Sequence, residues 1–281
     1  MRFRTPSPYQ AYLSFYHGAI KKQIQAGANT QRVFCKYEGR AKRNYGNSSN
    51  EPSEKQTDYA ILLSMERLDD LQHNGLMLYQ DTELERFTVD ALWLCSFLRA
   101  GARDNVVELG SGSGVICVLG ADNTGARFTG VERQLDLVAL AQKSAALNHQ
   151  DIQFLCADVA QAPDLLGRGI FTSAVMNPPY FTSGEMSENA SRSLTRHDAG
   201  DSLAGFLDAA FALLKNGGKL FLIYPAEALS ELFSALERAR FAPKRMKLVY
   251  SKPESYALRV LVEAKKHGKP GLTIEPPMFA Q

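Results

Sequence analysis

The sequence has few cysteines and lacks any long apolar run. Its 281 residues include only four cysteines, and their spacing matches neither a disulfide framework nor a zinc site. They are Cys35, Cys95, Cys117 and Cys156. We therefore expect reduced, buried thiols, no metal site and an intracellular, cytoplasmic location. The apolar runs are short or interrupted by charges, and none approaches the ~20 residues of a membrane-spanning helix. The pattern predicts no contact with a membrane.

Acidic residues are scarce at both ends of the chain. Before residue 44 the sequence contains nine basic residues and one acid, Glu38. From Arg238 to Lys269 ten basic residues face only Glu254 and Glu263. The net charge is only +2, so the middle of the chain is acidic. Two basic ends favour a polyanionic substrate, because each phosphate contact releases counterions. Solvated surface lysines remain the alternative for the second cluster.

The first 64 residues differ in composition from the rest. Residues 44–58 are rich in Asn, Ser, Gly and Pro, as linkers are. We therefore predict a basic, partly disordered extension over residues 1–64 and one folded domain over 65–281. Three uses of the extension stay open: an arm that holds RNA, a transit-like leader poor in acids, or translation from an upstream start codon. In the last case Met65 is the natural start.

The central motif is Val106 to Gly114, in which an apolar run ends in an acid and three glycines follow at alternate positions. This pattern predicts a strand that breaks into a helix over about 114–121. Glycine adopts positive φ and lacks a Cβ, so the turn lets a ligand approach the backbone. The first N–H groups of the helix are then free to bind that ligand. Dinucleotide-binding folds share this motif, and a tight turn alone also explains the glycines.

Three further predicted strands each lead into polar residues. Strand 127–131 precedes Glu132, at the usual position of a carboxylate that binds both hydroxyls of a ribose. Strand 152–156 precedes Asp158, and strand 171–176 runs into Asn177-Pro178-Pro179-Tyr180. In this order, the motifs resemble the class I S-adenosylmethionine-dependent methyltransferases, in the branch that methylates planar amino groups. The resemblance implies a Rossmann-like α/β fold with a seven-stranded sheet and a final antiparallel strand.

The remaining elements fit this fold. Residues 66–80 predict a turn of helix, an Asn-Gly turn and a short strand. A helix from Thr88 to Leu98 follows, with Thr88 as N-cap and a buried face formed by Ala91, Leu92, Leu94, Cys95 and Leu98. Further helices are predicted over 134–148, 202–215 and 227–239, a turn at 216–218, and strands over 219–224, 244–250 and 256–264. The segment before the first strand packs beside the cofactor in this fold, so Thr88 and Asp90 are candidate cofactor neighbours. Capping and helix-dipole effects are the alternative.

The Asn-Pro-Pro-Tyr motif suits a planar amino group. The lone pair of such a nitrogen is delocalised, and acceptors for both of its N–H bonds favour a more reactive, pyramidal state. Asn177 offers its side-chain oxygen and Pro178 its carbonyl, while Pro178 and Pro179 stiffen the turn and donate nothing. Tyr180 offers a face on which a flipped base stacks. The same residues also suit the amide of a glutamine side chain.

A wider set of motifs resembles the bacterial adenine-N6 methyltransferases that modify a valine tRNA beside the anticodon. It comprises residues 66–71, Gln80, Asp90, 177–181, 196–197 and 261–277. The resemblance covers about residues 65–279 and implies tRNA as the partner, with adenine bound by Asn177 to Tyr180. It also implies that S-adenosylmethionine is bound by Glu108, Gly110, Ser111, Gly112, Gly114, Glu132, Asp158 and Asn177. The chain departs from the family at Glu108, where aspartate is commoner.

Candidate RNA contacts lie in two places. The polar segment 181–200 is too long for a simple connection and is typical of a substrate-binding loop. It contains Phe181, Arg196 and His197, although a lone loop histidine is more often a surface residue. The C-terminal basic cluster contributes Lys244, Arg245 and Lys247. Two other functions stay open: a glutamine-N5 methyltransferase acting on a release factor, and a non-catalytic RNA-binding protein on the same scaffold.

Overall fold

The computed structural model describes residues 66–81, 84, 88–179 and 202–280. Most of them belong to one compact unit formed by residues 69–79 and 85–281. A second unit, residues 1–68 and 80–84, is described at only six positions. The predicted extension over 1–64 stays a prediction. It lies outside the described residues, as do Cys35, Tyr180, Phe181, Arg196 and His197.

The first described element is a β-hairpin of β1 (Glu66–Asp70) and β2 (Met77–Asp81). The Asn-Gly turn is confirmed, because Asn74 and Gly75 both have positive φ and the Leu76 N–H donates to the His73 carbonyl. The predicted turn of helix is wrong. Five residues form only a marginal helix, whereas the turn brings a partner strand that satisfies the backbone groups of residues 66–70.

The second sheet has nine strands among the described residues and carries the fold. Its seven main strands are β3 (Asn105–Leu109), β4 (Arg127–Glu132), β5 (Gln153–Cys156), β6 (Phe171–Met176), β7 (Leu214–Pro225), β8 (Phe241–Tyr250) and β9 (Ala257–Lys266). Their spatial order is β5-β4-β3-β6-β7-β9-β8, and β9 is antiparallel to both of its neighbours. This confirms the Rossmann-like sheet with its antiparallel strand.

The sheet differs from the predicted seven strands at its β8 edge. Two strands of two residues each, β10 (Thr273–Ile274) and β11 (Met278–Phe279), pair in parallel with β8. Such short strands give no alternation of apolar and polar residues, and prolines interrupt the segment. The sequence pattern could therefore not predict them.

A second difference concerns the start of β7. The predicted turn at residues 216–218 lies inside this strand, where the pairing with β6 shifts between Phe171 and Ser173. Gly217 has φ of 75°, so glycine allows the strand to bulge there without breaking.

Helices cover both faces of the nine-stranded sheet. They are α1 (Val89–Phe97), α2 (Val115–Thr124), α3 (Leu135–Leu147), α4 (Ala162–Leu166), α5 (Leu203–Leu213) and α6 (Leu229–Arg238). Short 3-10 helices occupy Val159–Gln161 and Ala226–Ala228. Val106 packs in one apolar cluster with α1 and α2, and Val107 packs in another with α5. Over the ranges described here, no helix is long and apolar enough to cross a membrane.

Helix α1 departs from its prediction in two details. Thr88 is the N-cap residue, but its side chain makes no capping hydrogen bond. Ala91, Leu94, Cys95 and Leu98 are buried as predicted, whereas Leu92 is 36% exposed. Leu92 follows Ala91 by about 100° around the helix and so lies outside the buried stripe.

Candidate functional site

A cavity of about 410 Å³ lies where the central parallel strands end. The strands β3, β4, β5 and β6 run in the same direction, so the residues that follow them meet at one edge of the sheet. The predicted site residues that line the cavity are Thr88, Glu108, Gly110, Ser111, Gly112, Glu132, Asp158, Asn177, Pro178 and Pro179. Five separate stretches of sequence therefore contribute to the wall of one cavity.

The glycine-rich turn has the backbone conformation that the sequence predicts. Gly110, Gly112 and Gly114 have φ of 73°, 52° and 86°. Gly114 does not line the cavity and instead begins α2 as its N-cap. A Cβ there would lie 2.9 Å from both Ala141 and Phe154, so close packing as well as φ requires glycine.

Glu132 connects the end of β4 to this turn. Its side chain is nearly buried, with 7% of the residue exposed. One carboxylate oxygen accepts the N–H of Gly112 at 3.0 Å, and the other accepts the N–H of Gln134 at 2.8 Å. Charge-assisted bonds of this kind fix the position of a carboxylate. Glu132 is thus held at the cavity in one orientation.

Glu108 has a different part in the same turn. Its Oε2 accepts the N–H of Cys117 at 3.0 Å, and so caps α2, whose N-cap glycine offers no side chain. The sequence predicts that the first N–H groups of this helix are free to bind a ligand, but the N–H of Cys117 is bonded within the protein. Burial raises the pKa of Glu108 to about 8; hydrogen bonds from Cys117 oppose this rise, and the charge of Glu132 adds to it.

Two predicted thiols lie beside this carboxyl group. Cys95 and Cys117 are buried, and burial raises the pKa of each thiol, with the Glu108 charge adding to the effect. Both are therefore protonated thiols in the core, as predicted. Cys156 is only partly buried.

Ser111 is a polar group without a partner in the described structure. Only 4% of this residue is exposed, and its Oγ makes no hydrogen bond to any described group. A buried hydroxyl without a partner costs about 1–3 kcal/mol. Ser111 lines the cavity with its other atoms, because its Oγ is inaccessible and lies next to Gly130.

The other side of the cavity is formed after β5 and β6. The Asp158 Oδ1 accepts the N–H of Ala160 at 2.8 Å and caps the 3-10 helix. Asn177 is half-buried, Pro178 is buried and Pro179 is exposed. Apolar side chains complete the lining, namely Ile116, Val131, Leu137, Val159 and Phe206.

Two contributors were missed by the sequence reasoning. Phe206 lies in α5, and its ring would be 3.2 Å from a Cβ on Gly110. A Cβ on Gly130 would lie 2.5 Å from Phe154 and 2.8 Å from the Ser111 Oγ. A glycine inside a strand pattern is a known signal of close approach, and it could have identified Gly130. No local sequence pattern identifies Phe206 as a residue of the cavity.

Asp90 is separated from the cavity and belongs to an ion pair. It is 4% exposed, and its Oδ2 accepts a hydrogen bond from Arg259 Nε at 2.8 Å. The N-cap residue Thr88 and Ala91 in α1, which lie near Asp90 in the sequence, do line the cavity. The pair therefore ties β9 to the helix that forms one wall, and Asp90 is not itself a lining residue.

Arg245, a predicted RNA contact, is buried and bonded within the protein. Arg245 is only 7% exposed, and its guanidinium donates to Glu263 at 2.8 Å, Glu275 at 3.0 Å and the Phe97 carbonyl at 2.7 Å. It also stacks 3.7 Å from the centroid of the Phe97 ring. Three of the five N–H donors of this buried guanidinium therefore have acceptors within the protein, two of them carboxylates.

The two lysines beside it are also engaged. Lys247 forms an ion pair with Glu275 at 3.2 Å, and Lys244 donates to the Lys269 carbonyl. Burial alone raises the pKa of Glu275, but the hydrogen bonds and charges of Arg245 and Lys247 lower it overall. Arg245 and Lys247 thus hold Glu275 against β8.

Comparisons with known proteins agree with this architecture. The family model described as "Methyltransferase small domain" matches residues 88–239, more than half of the chain. A protein of Shewanella halifaxensis named tRNA1(Val) (adenine(37)-N6)-methyltransferase is 29% identical over 47% of this chain and 54% of its own length. One of the same name from Shewanella sediminis is 26% identical over 51% and 61%. The chain thus spans less than two thirds of these relatives.

The fold also matches a solved structure. A protein of Agrobacterium tumefaciens described as a predicted O-methyltransferase superposes with a TM-score of 0.55. The two are 26% identical, and the match covers 68% of this chain and 86% of the other.

Proposed function

The chain belongs to the methyltransferase small domain family, and from this premise we propose that it methylates the N6 of an adenine in tRNA, beside the anticodon. The activity that we infer is S-adenosylmethionine-dependent methyl transfer, catalysed by a protein of the class I fold. The methyl acceptor is the finer part of the proposal. The observation on which the proposal depends is that Asn177 and Pro178 share one cavity with the glycine-rich turn and Glu132.

The cavity suits S-adenosylmethionine in size and polarity. Its volume lies within the range of roughly 300–1,000 Å³ that is usual for ligand sites. We expect the Glu132 carboxylate to hold the ribose hydroxyls and Asp158 to lie beside the adenine ring. Val131, Leu137 and Val159 are the apolar surfaces available to that ring.

The glycine-rich turn then serves the remainder of the cofactor. Gly110 and Gly112 present backbone without side chains, which allows a close approach. When bound, S-adenosylmethionine supplies an electrophilic methyl carbon on a sulfonium. The task left to the protein is to place a nucleophile in line with that carbon.

Asn177 and Pro178 are suited to hold that nucleophile. The register places Met176 beside Leu109, so Asn177 follows β6 next to the start of the glycine-rich turn. The Asn177 side-chain oxygen and the Pro178 carbonyl can accept the two N–H bonds of an exocyclic amine. These bonds withdraw the nitrogen lone pair from conjugation with the ring. They strengthen as the methyl group is transferred, which is the requirement for catalysis.

The choice of adenine in tRNA rests on the named relatives and on the excess of basic residues at the two ends of the chain. A glutamine amide would fit the same acceptors, so substrate class must be measured. The test incubates the full chain and isotopically labelled S-adenosylmethionine with unmodified tRNA and, in parallel, with a release factor. Mass spectrometry of the nucleosides and of the peptides follows. We expect labelled N6-methyladenosine with the wild type and almost none with Asn177→Ala. Labelled glutamine in a release factor, with no label in tRNA at low salt, would overturn the proposal.

A further inference from the structure

The loop between β8 and β9, residues 251–256, lies at the same edge of the sheet as the cavity. We propose that this loop is a second RNA contact and that Tyr256 stacks on an unpaired base near the adenine held in the cavity. This inference rests on the proposed function and adds a residue outside the cavity to it.

Tyr256 is unusually exposed. Its exposed fraction is 94%, whereas the next most exposed large hydrophobic residue in the described ranges, Ile274, is 66% exposed. Single exposed apolar residues are common and need no explanation by themselves. The position of Tyr256 and the chemistry of its neighbours are what point to a ligand.

The strand directions place the loop at the same edge of the sheet as the cavity. Strand β8 is antiparallel to β9, and β9 is antiparallel to β7, which runs parallel to β6. The end of β8 and the start of β9 therefore lie at the edge where β6 leads into Asn177. Arg259, three residues after Tyr256, bonds to Asp90 in the first turn of α1. The three residues from Tyr256 to Arg259 correspond to roughly 10 Å of strand.

The loop has a defined internal structure. The Lys252 N–H donates to the Ser255 Oγ at 3.2 Å, and that hydroxyl donates to the Lys252 carbonyl at 2.8 Å. The Ser255 N–H also donates to the Lys252 carbonyl, at 3.1 Å. A closed turn before Tyr256 reduces the entropy that is lost when a ligand orders the loop.

The neighbouring side chains favour RNA over protein. Lys252 is an exposed cation in the loop. Two further aromatic rings, those of Tyr250 and Phe279, lie at the end of β8 with centroids 6.1 Å apart. Aromatic faces with nearby cations are what unpaired bases and phosphates bind. A protein partner would need a contiguous apolar surface of several hundred Å². The loop instead presents one ring among small and charged residues, in which the cation Lys252 is accompanied by one acid, Glu254.

The experiment compares Tyr256→Ala and Tyr256→Phe in the full chain. A control, Ile170→Ala, truncates a residue that is 49% exposed just before β6, at the opposite edge of the sheet. Steady-state kinetics give kcat and KM for a tRNA transcript. Fluorescence anisotropy gives the affinity for a labelled stem-loop RNA with an adenine in its loop. Calorimetry with S-adenosylhomocysteine and the melting temperature show that site and fold are intact.

We expect Tyr256→Ala to raise KM and the stem-loop Kd roughly tenfold, through lost stacking. Its kcat, cofactor affinity and melting temperature should match the wild type, and Tyr256→Phe and Ile170→Ala should behave as wild type. Wild-type KM and Kd in Tyr256→Ala would overturn the inference, as would a Phe variant as weak as the Ala variant. If the wild type fails to methylate tRNA, the proposed function is wrong. The stem-loop measurement then still decides the inference: Tyr256-dependent binding supports it, and absence of binding overturns it.

Discussion

The carboxylate of Glu108, at the end of β3, accepts the backbone N–H of Cys117 at 3.0 Å and caps the helix that follows the glycine-rich turn. The same carboxyl group is buried, and its pKa of about 8 lies above the ordinary value of 4.5. The folded protein therefore binds this proton more tightly than the unfolded chain does. The stability that Glu108 contributes in this way is complete below pH 4.5 and is lost as the pH rises to about 8.

We predict that Glu108→Gln removes this pH dependence. The amide keeps an acceptor for the Cys117 N–H but cannot ionise. Urea denaturation across this pH range should show the wild type losing free energy of unfolding relative to the variant, by about 1.4 kcal/mol for each unit of pKa difference. The exposed Glu237, changed to Gln, serves as the control. Parallel pH curves for Glu108→Gln and the wild type would contradict the prediction.

Removal of the Glu132 carboxylate should weaken cofactor binding. We expect Glu132→Ala to reduce the affinity for S-adenosylhomocysteine by ~1.5–3 kcal/mol, because charge-assisted bonds to the ribose are lost. Calorimetry measures this directly. Glu132→Gln should lose less, since the amide oxygen can still accept one of the two backbone N–H bonds. An unchanged affinity in the Ala variant would show that the ribose binds elsewhere.

Asn177→Ala should lower kcat far more than cofactor affinity. Its proposed contacts are with the reacting nitrogen and strengthen only in the transition state, so the loss is expected in turnover. Single-turnover kinetics with saturating tRNA and calorimetry separate the two quantities. Asn216, which is exposed in the bulge of β7 at the other end of the sheet, provides the matched Ala control. Equal turnover by Asn177→Ala and the wild type would place the chemistry at other residues.

Charge reversal at Arg245 should unfold the protein rather than weaken RNA binding alone. Glu at this position would face Glu263 and Glu275 without a cation between them. Breaking a buried pair costs roughly 3–5 kcal/mol. Lys252→Glu, in an exposed loop, should leave the midpoint of urea denaturation unchanged while it lowers the salt dependence of tRNA binding. Equal midpoints for Arg245→Glu and the wild type would refute the structural role.

The parts of the site that the sequence predicted lie at the ends of strongly apolar strands. Glu132, Asp158 and Asn177 each follow such a strand, and parallel strands end at a common edge. The unpredicted parts depend on contacts between distant residues. Arg245 is buried because it pairs with Glu263 and Glu275, which lie 18 and 30 residues further along the chain. A charged residue considered by itself predicts exposure instead. The two-residue strands β10 and β11 likewise depend on pairing with β8.

The strands β10 and β11 affect how copies of this protein can associate with one another. Without them, β8 would present a row of unpaired N–H and C=O groups along its outer side, which is a template for pairing with another chain. Residues 273–279 occupy much of that row, and the two prolines between the short strands have no N–H to offer a neighbour. This stretch therefore protects one side of the sheet against edge-to-edge aggregation.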